Sequence, residues 1–391
     1  MYASFVLPFD ASIPFSAASD NAFFTALPAR AGIFLLEMPD PGAEPYLART
    51  SDLRRAAERL LRPTEVPSKR LNLSGVVKAI QFRCTGSKFE QAIAFYGHAR
   101  SLFPNRYRDM MKLRTPALLK VNLRNEYPRC YVTRRIRDDG GFYFGPFMSR
   151  QAADGFAEKF LDLFKTRRCQ IKIRRDPKYP GCVYSEMKMC LAPCFAGCSK
   201  EEYDAEMSRL VAALGSGGLS LTEEIERERE AASEALDFER AANLHKRLEK
   251  ADGVLRGLPE IAHRLENLDA LILQKSAQEK VIVVFPVLAS VVREPIFLRF
   301  DDVSGQPRSV ESFLRGELTN LAERSADTRP SAESVGENLA LIARWFYSNP
   351  RDGELFFRDG DWLYRRILRA CGRLLAAPAP PQPIVPAKPS S

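Results

Sequence analysis

The chain has 391 residues, 45% of them apolar and 27% charged, which supports two or three folded domains. Its net charge of +9 favours an acidic partner, most commonly nucleic acid, over a merely basic surface. The sequence has no run of about 18 uncharged apolar residues, and MYASFVLPFDASIPFS places no cation before an apolar core. Composition thus argues against a membrane span and a secretory signal, and predicts a cytoplasmic, reducing location.

The N-terminal part reads as a small α/β domain over residues 31–110, after an irregular segment at 1–30. AGIFLLEM and PYLA are predicted strands, and SDLRRAAERLL is a basic helix with Ser51 or Asp52 as its N-cap. VVKAIQFRC follows as a strand, and the apolar spacing of FEQAIAFYGHARSLF predicts a second helix.

Residues 111–215 combine extended runs, a helix and a cysteine-rich segment. ALLKVNLRNEYPRCYVTRRI contains two extended runs, and the glycines of DDGGFYFGPF predict a turn. RQAADGFAEKFLDLF is helical, and another helix is expected from Lys200 to about Leu214. GSGG at 215–218 reads as a flexible joint.

The C-terminal part begins with a charged helical stretch at 221–256. Residues 266–376 alternate strand-like runs (ALILQ, KVIVVFPVL, EPIFLRF) with helices (SVESFLRGELTNLAER, VGENLALIARWFY), which predicts an α/β domain. Residues 377–391 form a proline-rich tail without a core. The whole chain is therefore predicted to be a multidomain α+β protein.

Five cysteines lie close together in the sequence: Cys169, Cys182, Cys190, Cys194 and Cys198. In a reducing compartment such clustering favours a metal over disulfides. Four thiolates can hold a zinc ion or a cubane iron–sulfur cluster. The long, uneven gaps favour the cluster, because structural zinc sites usually use close C-x2-C pairs; zinc and inert buried thiols remain the alternatives.

The cysteines are embedded in basic sequence, with seven Lys or Arg and one Asp between residues 165 and 178. These cations could neutralise a thiolate cluster or lie along a phosphate backbone. The candidate DNA contacts are Lys165, Arg167, Arg168, Lys172, Arg174 and Arg175.

The remaining histidines and cysteines are scattered. His98, His245 and His263 are interpreted as surface residues rather than ligands. Cys84, Cys130 and Cys371 are interpreted as isolated core thiols.

Three motifs in order, YPRCYVTRRIRDDGGFYFGPF (127–147), RRC (167–169) and MCLAPC (189–194), resemble UvrC, the C subunit of excinuclease ABC. The resemblance implies that residues 111–215 form a cysteine-rich DNA-binding domain. It also implies that the ligands of a [4Fe–4S] cluster are Cys169, Cys182, Cys190 and Cys194.

EIEREREAASEALDFERAANLHKRLEK, within 221–256, resembles the UVR motif shared by the B and C subunits of that repair system. Asp237 can cap a second helix, and the apolar face is thin, so the pair needs a partner, as in a four-helix bundle. The resemblance implies binding to UvrB through Ala235, Phe238 and Ala242. The alternative is an ordinary charged surface helix or coiled-coil spacer.

In UvrC the N-terminal domain is a GIY-YIG nuclease, which uses a tyrosine pair, an arginine, a metal-binding glutamate and an asparagine. Carried over, the second tyrosine is retained as Tyr46, and the other positions are occupied by Phe34, Ala56, Tyr96 and Arg108. Without the carboxylate, the Mg²⁺ site is expected to be lost. The domain is therefore expected to fold without cutting DNA.

The domain retains other groups of interest. Arg49, Arg54, Arg55 and Arg108 are expected to contact DNA. Glu90 would replace the lost carboxylate only if the helix register slipped.

UvrC proteins also carry an RNase H-like nuclease and helix-hairpin-helix modules, and residues 266–305 resemble only the segment before that nuclease. The resemblance therefore implies a truncated relative: a DNA-binding subunit of nucleotide excision repair without incision activity. Two alternatives remain, a diverged single-incision endonuclease and an iron–sulfur redox-responsive DNA-binding protein.

Overall fold

The computed structural model describes residues 5–16, 21–40, 42–63, 71–300, 309–326 and 329–376. Its strands are β1 (Ala11–Pro14), β2 (Gly32–Glu37), β3 (Tyr46–Thr50), β4 (Ala79–Cys84), β5 (Ala117–Val121), β6 (Cys130–Thr133), β7 (Phe142–Phe147), β8 (His263–Arg264), β9 (Ala270–Lys275), β10 (Val281–Leu288), β11 (Val291–Val292), β12 (Ile296–Arg299) and β13 (Glu354–Phe357). Its helices are α1 (Asn21–Ala26), α2 (Leu53–Leu61), α3 (Lys88–Leu102), α4 (Tyr107–Met111), α5 (Arg150–Leu161), α6 (Val183–Glu186), α7 (Lys200–Gly215), α8 (Leu219–Glu234), α9 (Phe238–Leu255), α10 (Val310–Ala326), α11 (Ala332–Phe346) and α12 (Tyr364–Ala376). Short 3-10 turns lie at Pro193–Phe195 and Leu265–Asn267.

The N-terminal sheet has the antiparallel order β1-β4-β2-β3. Side chains alternate across β2, so Phe34 faces α2 while Ile33 and Leu35 face α3. Asp52 caps α2 by accepting from the Arg55 N–H, which confirms one of the two predicted caps.

The sequence predicts that residues 1–30 are irregular, but their described part contains strand β1 and helix α1. β1 pairs with β4 across about seventy positions of sequence, in the register Ala11↔Phe82 to Pro14↔Ala79. Phe15, Phe23 and Phe24 are buried in the core beside α2. The segment is short and has no periodic pattern, so only the pairing with β4 reveals its strand.

The middle sheet has the order β6-β5-β7-β8 and packs against α5 and α7. Its core continues into the lower half of α8 and α9, where Ile225, Leu248 and Ala251 are buried. The GSGG joint is an ordered turn rather than a flexible linker, because the Gly218 N–H donates to the Ala213 carbonyl at 2.7 Å. Gly218 has a φ of +100° and lies against Leu255, which favours glycine there.

The C-terminal sheet has β10 at its centre, flanked by β9 on one side and by β11 and β12 on the other, with β13 beyond β9. β10 is apolar on both faces because both are covered. One face packs against α3 and α11, where Phe285 meets Phe89 with ring centroids 5.2 Å apart. The other packs against α10 and α12. The first of these two cores joins the N-terminal and C-terminal parts.

Two further predictions are settled by the structure, and one lies outside it. His98 is buried and His263 stacks on Phe357, so only His245 is a surface histidine as expected. Cys130 and Cys371 are core thiols, whereas Cys84 is half-buried. The predicted tail at 377–391 lies outside the described residues.

No helix in the described ranges is long and apolar enough to cross a bilayer.

Candidate nucleic-acid interface

Three of the nuclease-like positions lie in the core between β2, β3 and α2. Phe34 and Ala56 are buried, and the half-buried ring of Tyr46 lies 6.2 Å from that of Phe34. Arg55 points to solvent and lies 3.9 Å from Asp52. No arginine therefore replaces the one missing at Ala56 among these side chains.

The other two positions, Tyr96 and Arg108, lie in a different cluster centred on Glu337 of α11. The buried Glu337 carboxylate accepts from the Tyr96 hydroxyl at 2.7 Å, the Tyr107 hydroxyl at 2.6 Å and the Arg108 Nε at 2.6 Å. Burial, and then the Glu337 carboxylate, raise the pKa of the Tyr96 hydroxyl, which keeps it protonated as a donor. Arg108 also pairs with Glu333.

This cluster explains what the substituted positions do. Tyr96 and Arg108 join α3 and α4 to α11. The Arg108 side chain, predicted to contact DNA, is bonded to Glu337 while 49% of its surface is exposed. Sequence reasoning missed Glu337. Its only signal was an acidic residue within the apolar run VGENLALIARWFY, since a buried acid normally has a partner.

Glu90 is held in place at the beginning of α3. Its buried carboxylate accepts from the Gly86 N–H at 2.8 Å and lies 3.5 Å from Arg83. Burial raises the pKa of Glu90 despite these contacts. Glu90 precedes Tyr96 by six residues on α3, so the two side chains leave the helix in directions about 120° apart. Glu90 therefore does not take the place of the lost carboxylate.

The other predicted cations of this domain have different surroundings. Arg54 donates to the carbonyls of Leu27 and Thr25 at 2.9 and 3.1 Å, so it ties α2 to the segment before β2. Arg49 and Arg55 are exposed. Arg108 is also exposed, but its guanidinium is paired with Glu337 and Glu333.

The cysteine segment between α5 and α7 is a loop fixed by backbone hydrogen bonds. The Leu191 N–H donates to the Lys165 carbonyl at 3.0 Å, and the Asp176 N–H donates to the Cys194 carbonyl at 2.9 Å. Ala192 has a φ of +55°, and its N–H donates to Cys190 Sγ at 3.3 Å. The loop thus brings cysteines distant in sequence into one neighbourhood.

Burial and the proximity of other thiols raise the pKa values of cysteines in this loop. Burial raises the pKa of Cys190 to about 11, and the neighbouring thiols of Cys169, Cys194 and Cys182 add to the increase. Burial likewise raises the pKa of Cys194. Across the described ranges, no three Cys, His, Asp or Glu side chains are already arranged as metal ligands.

The chemistry of this donor set fits an iron–sulfur cluster or a zinc ion. The four thiols of Cys169, Cys182, Cys190 and Cys194 would supply the ligands, and an amide N–H directed at sulfur is a common second contact of such sites. Cys198 is also buried in this loop. Its backbone carbonyl accepts a hydrogen bond from the Arg175 guanidinium at 3.0 Å.

The six predicted cations of the loop separate into two groups. Arg167 is buried and donates to the Ile171 carbonyl at 2.8 Å, and Arg168 pairs with Asp162 at 2.7 Å. The exposed cations are Lys165, Lys172, Arg174 and Arg175. Arg167 is therefore a structural residue, which the sequence pattern alone could not distinguish from its neighbours.

The helical hairpin α8–α9 has the predicted break and cap. Asp237 accepts from the Arg240 N–H at 3.1 Å, and α9 begins at Phe238. Leu236 and Phe238 are 71% and 68% exposed at the tip, and Ala235 and Ala242 are exposed beside them. The hairpin is anchored at its base and presents an uncovered apolar tip.

The match to known families falls on the domain that contains the cysteine loop. A sequence profile described as "UvrC/Cho excinuclease, middle domain" matches residues 117–213, from the start of β5 into α7. Proteins named "UvrABC system protein C" are 28% identical over 346 residues in Carboxydothermus hydrogenoformans and 25% identical over 334 residues in Clostridium acetobutylicum. Residues 117–213 are thus similar to the UvrC middle domain, and most of the chain is similar to UvrC proteins.

The UvrC relatives are longer than this chain. The two alignments cover 84% and 82% of this chain but 55% and 51% of the relatives. A third UvrC protein, from Ruminiclostridium cellulolyticum, is 28% identical over 58% of this chain and 37% of its own length. The chain thus spans between about a third and about half of the relatives' length, and no solved structure matches it.

Proposed function

We propose that this UvrC-like chain is a DNA-binding, UvrB-binding subunit of nucleotide excision repair that does not cut DNA itself. The observation that carries the proposal is the matched middle domain, which contains the cysteine loop with its exposed cations and joins directly to the helical hairpin. The names of the relatives support a role in the UvrABC system.

DNA binding is supported by Lys165, Lys172, Arg174 and Arg175, which project from one loop between α5 and α7. Cations on a fixed loop can contact successive phosphates without first ordering the loop. A cluster held by Cys169, Cys182, Cys190 and Cys194 would cross-link this loop and supply iron–sulfur redox chemistry when bound.

UvrB binding is supported by the tip of the hairpin. Exposing Leu236 and Phe238 to water is unfavourable, and a partner with a similar apolar face would cover both. The base of α8 and α9 is packed in the core of the middle domain, which sets the direction in which the tip projects.

The absence of incision is supported by the environments of the substituted positions. Phe34 and Ala56 are buried in one core, and Tyr96 and Arg108 are bonded to Glu337 in another. A metal-dependent nuclease needs a carboxylate and a phosphate-binding cation beside its nucleophile. The proposal predicts no cleavage of nicked or lesion-bearing DNA with Mg²⁺ or Mn²⁺. Cleavage by the wild type that is abolished in Tyr46→Phe would establish the endonuclease alternative.

The partner is tested by measuring the affinity of purified UvrB for the full chain. Phe238→Ala should weaken binding at least tenfold, as truncation of a central aromatic anchor usually does. Met148→Ala is the matched control, because Met148 is 67% exposed and lies outside the hairpin. No association with UvrB, or equal affinities for the two variants, would contradict this part of the proposal.

A further inference from the structure

Helix α12 packs one face against the C-terminal sheet and leaves the other in solvent. Ile367, Ala370 and Cys371 are fully buried against β9 and β10. The exposed face carries Arg365, Arg366, Arg369 and Arg373, and the helix contains no acidic residue.

The four arginines form a stripe. At about 100° per residue, they all lie within an arc of about 100° opposite the buried face. The stripe extends about 12 Å along the helix axis, since each residue rises about 1.5 Å. Like charges four residues apart repel each other, so the stripe costs helix stability unless a partner neutralises it.

The stripe is largely uncompensated by the protein itself. Arg373 pairs with Glu354 at 2.6 Å. Among the described residues, Arg365, Arg366 and Arg369 take part in no ion pair and donate no side-chain hydrogen bond. Asp361, which precedes the helix by three residues, pairs with Arg315 instead.

The geometry fits a polyanion with closely spaced charges. A DNA duplex carries one negative charge per about 1.7 Å of its axis, so a 12 Å stripe passes several phosphates. All four cations are arginine, whose planar guanidinium binds phosphate oxygens through two parallel hydrogen bonds. Charge complementarity therefore indicates a partner with closely spaced phosphates for this face.

We propose that α12 is a second nucleic-acid contact, which binds the phosphate backbone of duplex DNA through Arg365, Arg366 and Arg369. This inference rests on the proposed DNA-binding function but concerns a surface outside the matched middle domain. It assigns a role to the C-terminal domain, which anchors the helix through the buried face of α12.

The test measures the affinity of the full chain for a fluorescent DNA duplex of random sequence at several salt concentrations. Arg365→Gln/Arg366→Gln/Arg369→Gln should reduce the magnitude of the slope of log K against log salt by about 2 to 3, since each neutralised phosphate contributes about 0.9. A variant with lysine at the same three positions should keep most of the slope, because it keeps the charge.

Lys88→Gln/Lys112→Gln/Lys159→Gln is the matched control. It removes three exposed positive charges from three separate places and should leave the slope nearly unchanged. Equal slopes for the two glutamine variants would overturn the assignment to α12. The assignment would also be overturned if the three arginines were needed for binding to polyglutamate but did not affect the salt slope of DNA binding. That result would indicate that the partner of this face is an acidic protein.

The outcomes separate this inference from the proposed function. If the wild type does not bind DNA at any salt concentration, the DNA-binding function itself fails. If the wild type binds DNA and the Arg365→Gln/Arg366→Gln/Arg369→Gln variant has the same salt slope as the Lys88→Gln/Lys112→Gln/Lys159→Gln control, only the contact through α12 fails.

Discussion

The Tyr96 hydroxyl donates a 2.7 Å hydrogen bond to the Glu337 carboxylate, across 241 positions of sequence. The same carboxylate accepts from Tyr107 and Arg108, so α3, α4 and α11 meet at one buried acid. Tyr96 and Arg108 occupy the positions at which the family resemblance places a metal ligand and its supporting asparagine. In this chain both positions serve the contact between its N-terminal and C-terminal parts.

Glu337→Ala should destabilise the protein by about 3 kcal/mol, because it leaves buried donors without an acceptor. Tyr96→Phe should cost about 1 kcal/mol, and the pair should show a coupling of about 1 kcal/mol in a double-mutant cycle. Urea unfolding measures all three quantities. Glu333→Ala is the control and should cost less than about 1 kcal/mol, since that ion pair is exposed. Additive effects of Tyr96→Phe and Glu337→Ala would contradict the proposed coupling.

His98 should make the stability depend on pH. Its Nε2–H donates to the Leu7 carbonyl at 2.8 Å, its ring stacks on Phe9, and burial lowers its pKa from 6.5, with a smaller contribution from Arg83. The unfolded chain therefore takes up a proton that the folded chain does not, and stability should fall as pH drops below about 6.5.

The measurement is the free energy of unfolding at several pH values between about 7 and 5. In His98→Gln, the free energy of unfolding should decrease less between pH 7 and pH 5 than in the wild type. His245→Gln should retain the wild-type decrease, because His245 is exposed. Identical pH profiles for His98→Gln and the wild type would assign the fall to other groups.

Tyr203 links two of the motifs that carry the family resemblance. Its hydroxyl is fully buried, donates to the Pro128 carbonyl at 2.7 Å and accepts from the Arg167 N–H at 3.2 Å. Tyr203→Phe should cost about 1–3 kcal/mol, because two buried backbone groups lose their partner. Tyr179→Phe, at an exposed position, should be nearly neutral. Equal unfolding midpoints for the two variants would show that the hydroxyl contributes little.

The proposed cluster predicts a specific response to cysteine substitution. Anaerobically purified wild type should be coloured and contain iron, and Cys190→Ser should lose both because one of four ligands is removed. Cys198→Ser should retain colour and iron, since Cys198 is not among the proposed ligands. One zinc per chain without iron would favour the zinc alternative. If the wild type lacks both metals and every cysteine variant folds normally, the metal prediction is wrong.

The sequence by itself determined the elements whose signals are local. Asp237 caps α9 because its side chain reaches an N–H three residues ahead, and that contact can be read from neighbouring residues. The apolar run KVIVVFPVL likewise predicts a strand, and it forms β10. The clustering of the five cysteines is also a local signal, since Cys169 and Cys198 delimit a single short segment.

Tertiary structure alone decided which side chains are accessible. Arg167 and Arg174 look equivalent in a basic run, yet one is buried and the other exposed. His98 is buried because the segment before β1 covers it, and Glu337 is paired because α11 packs on α3 and α4. These outcomes depend on which apolar faces cover one another across hundreds of residues, and hydrophobic periodicity specifies that a face is buried without specifying its partner.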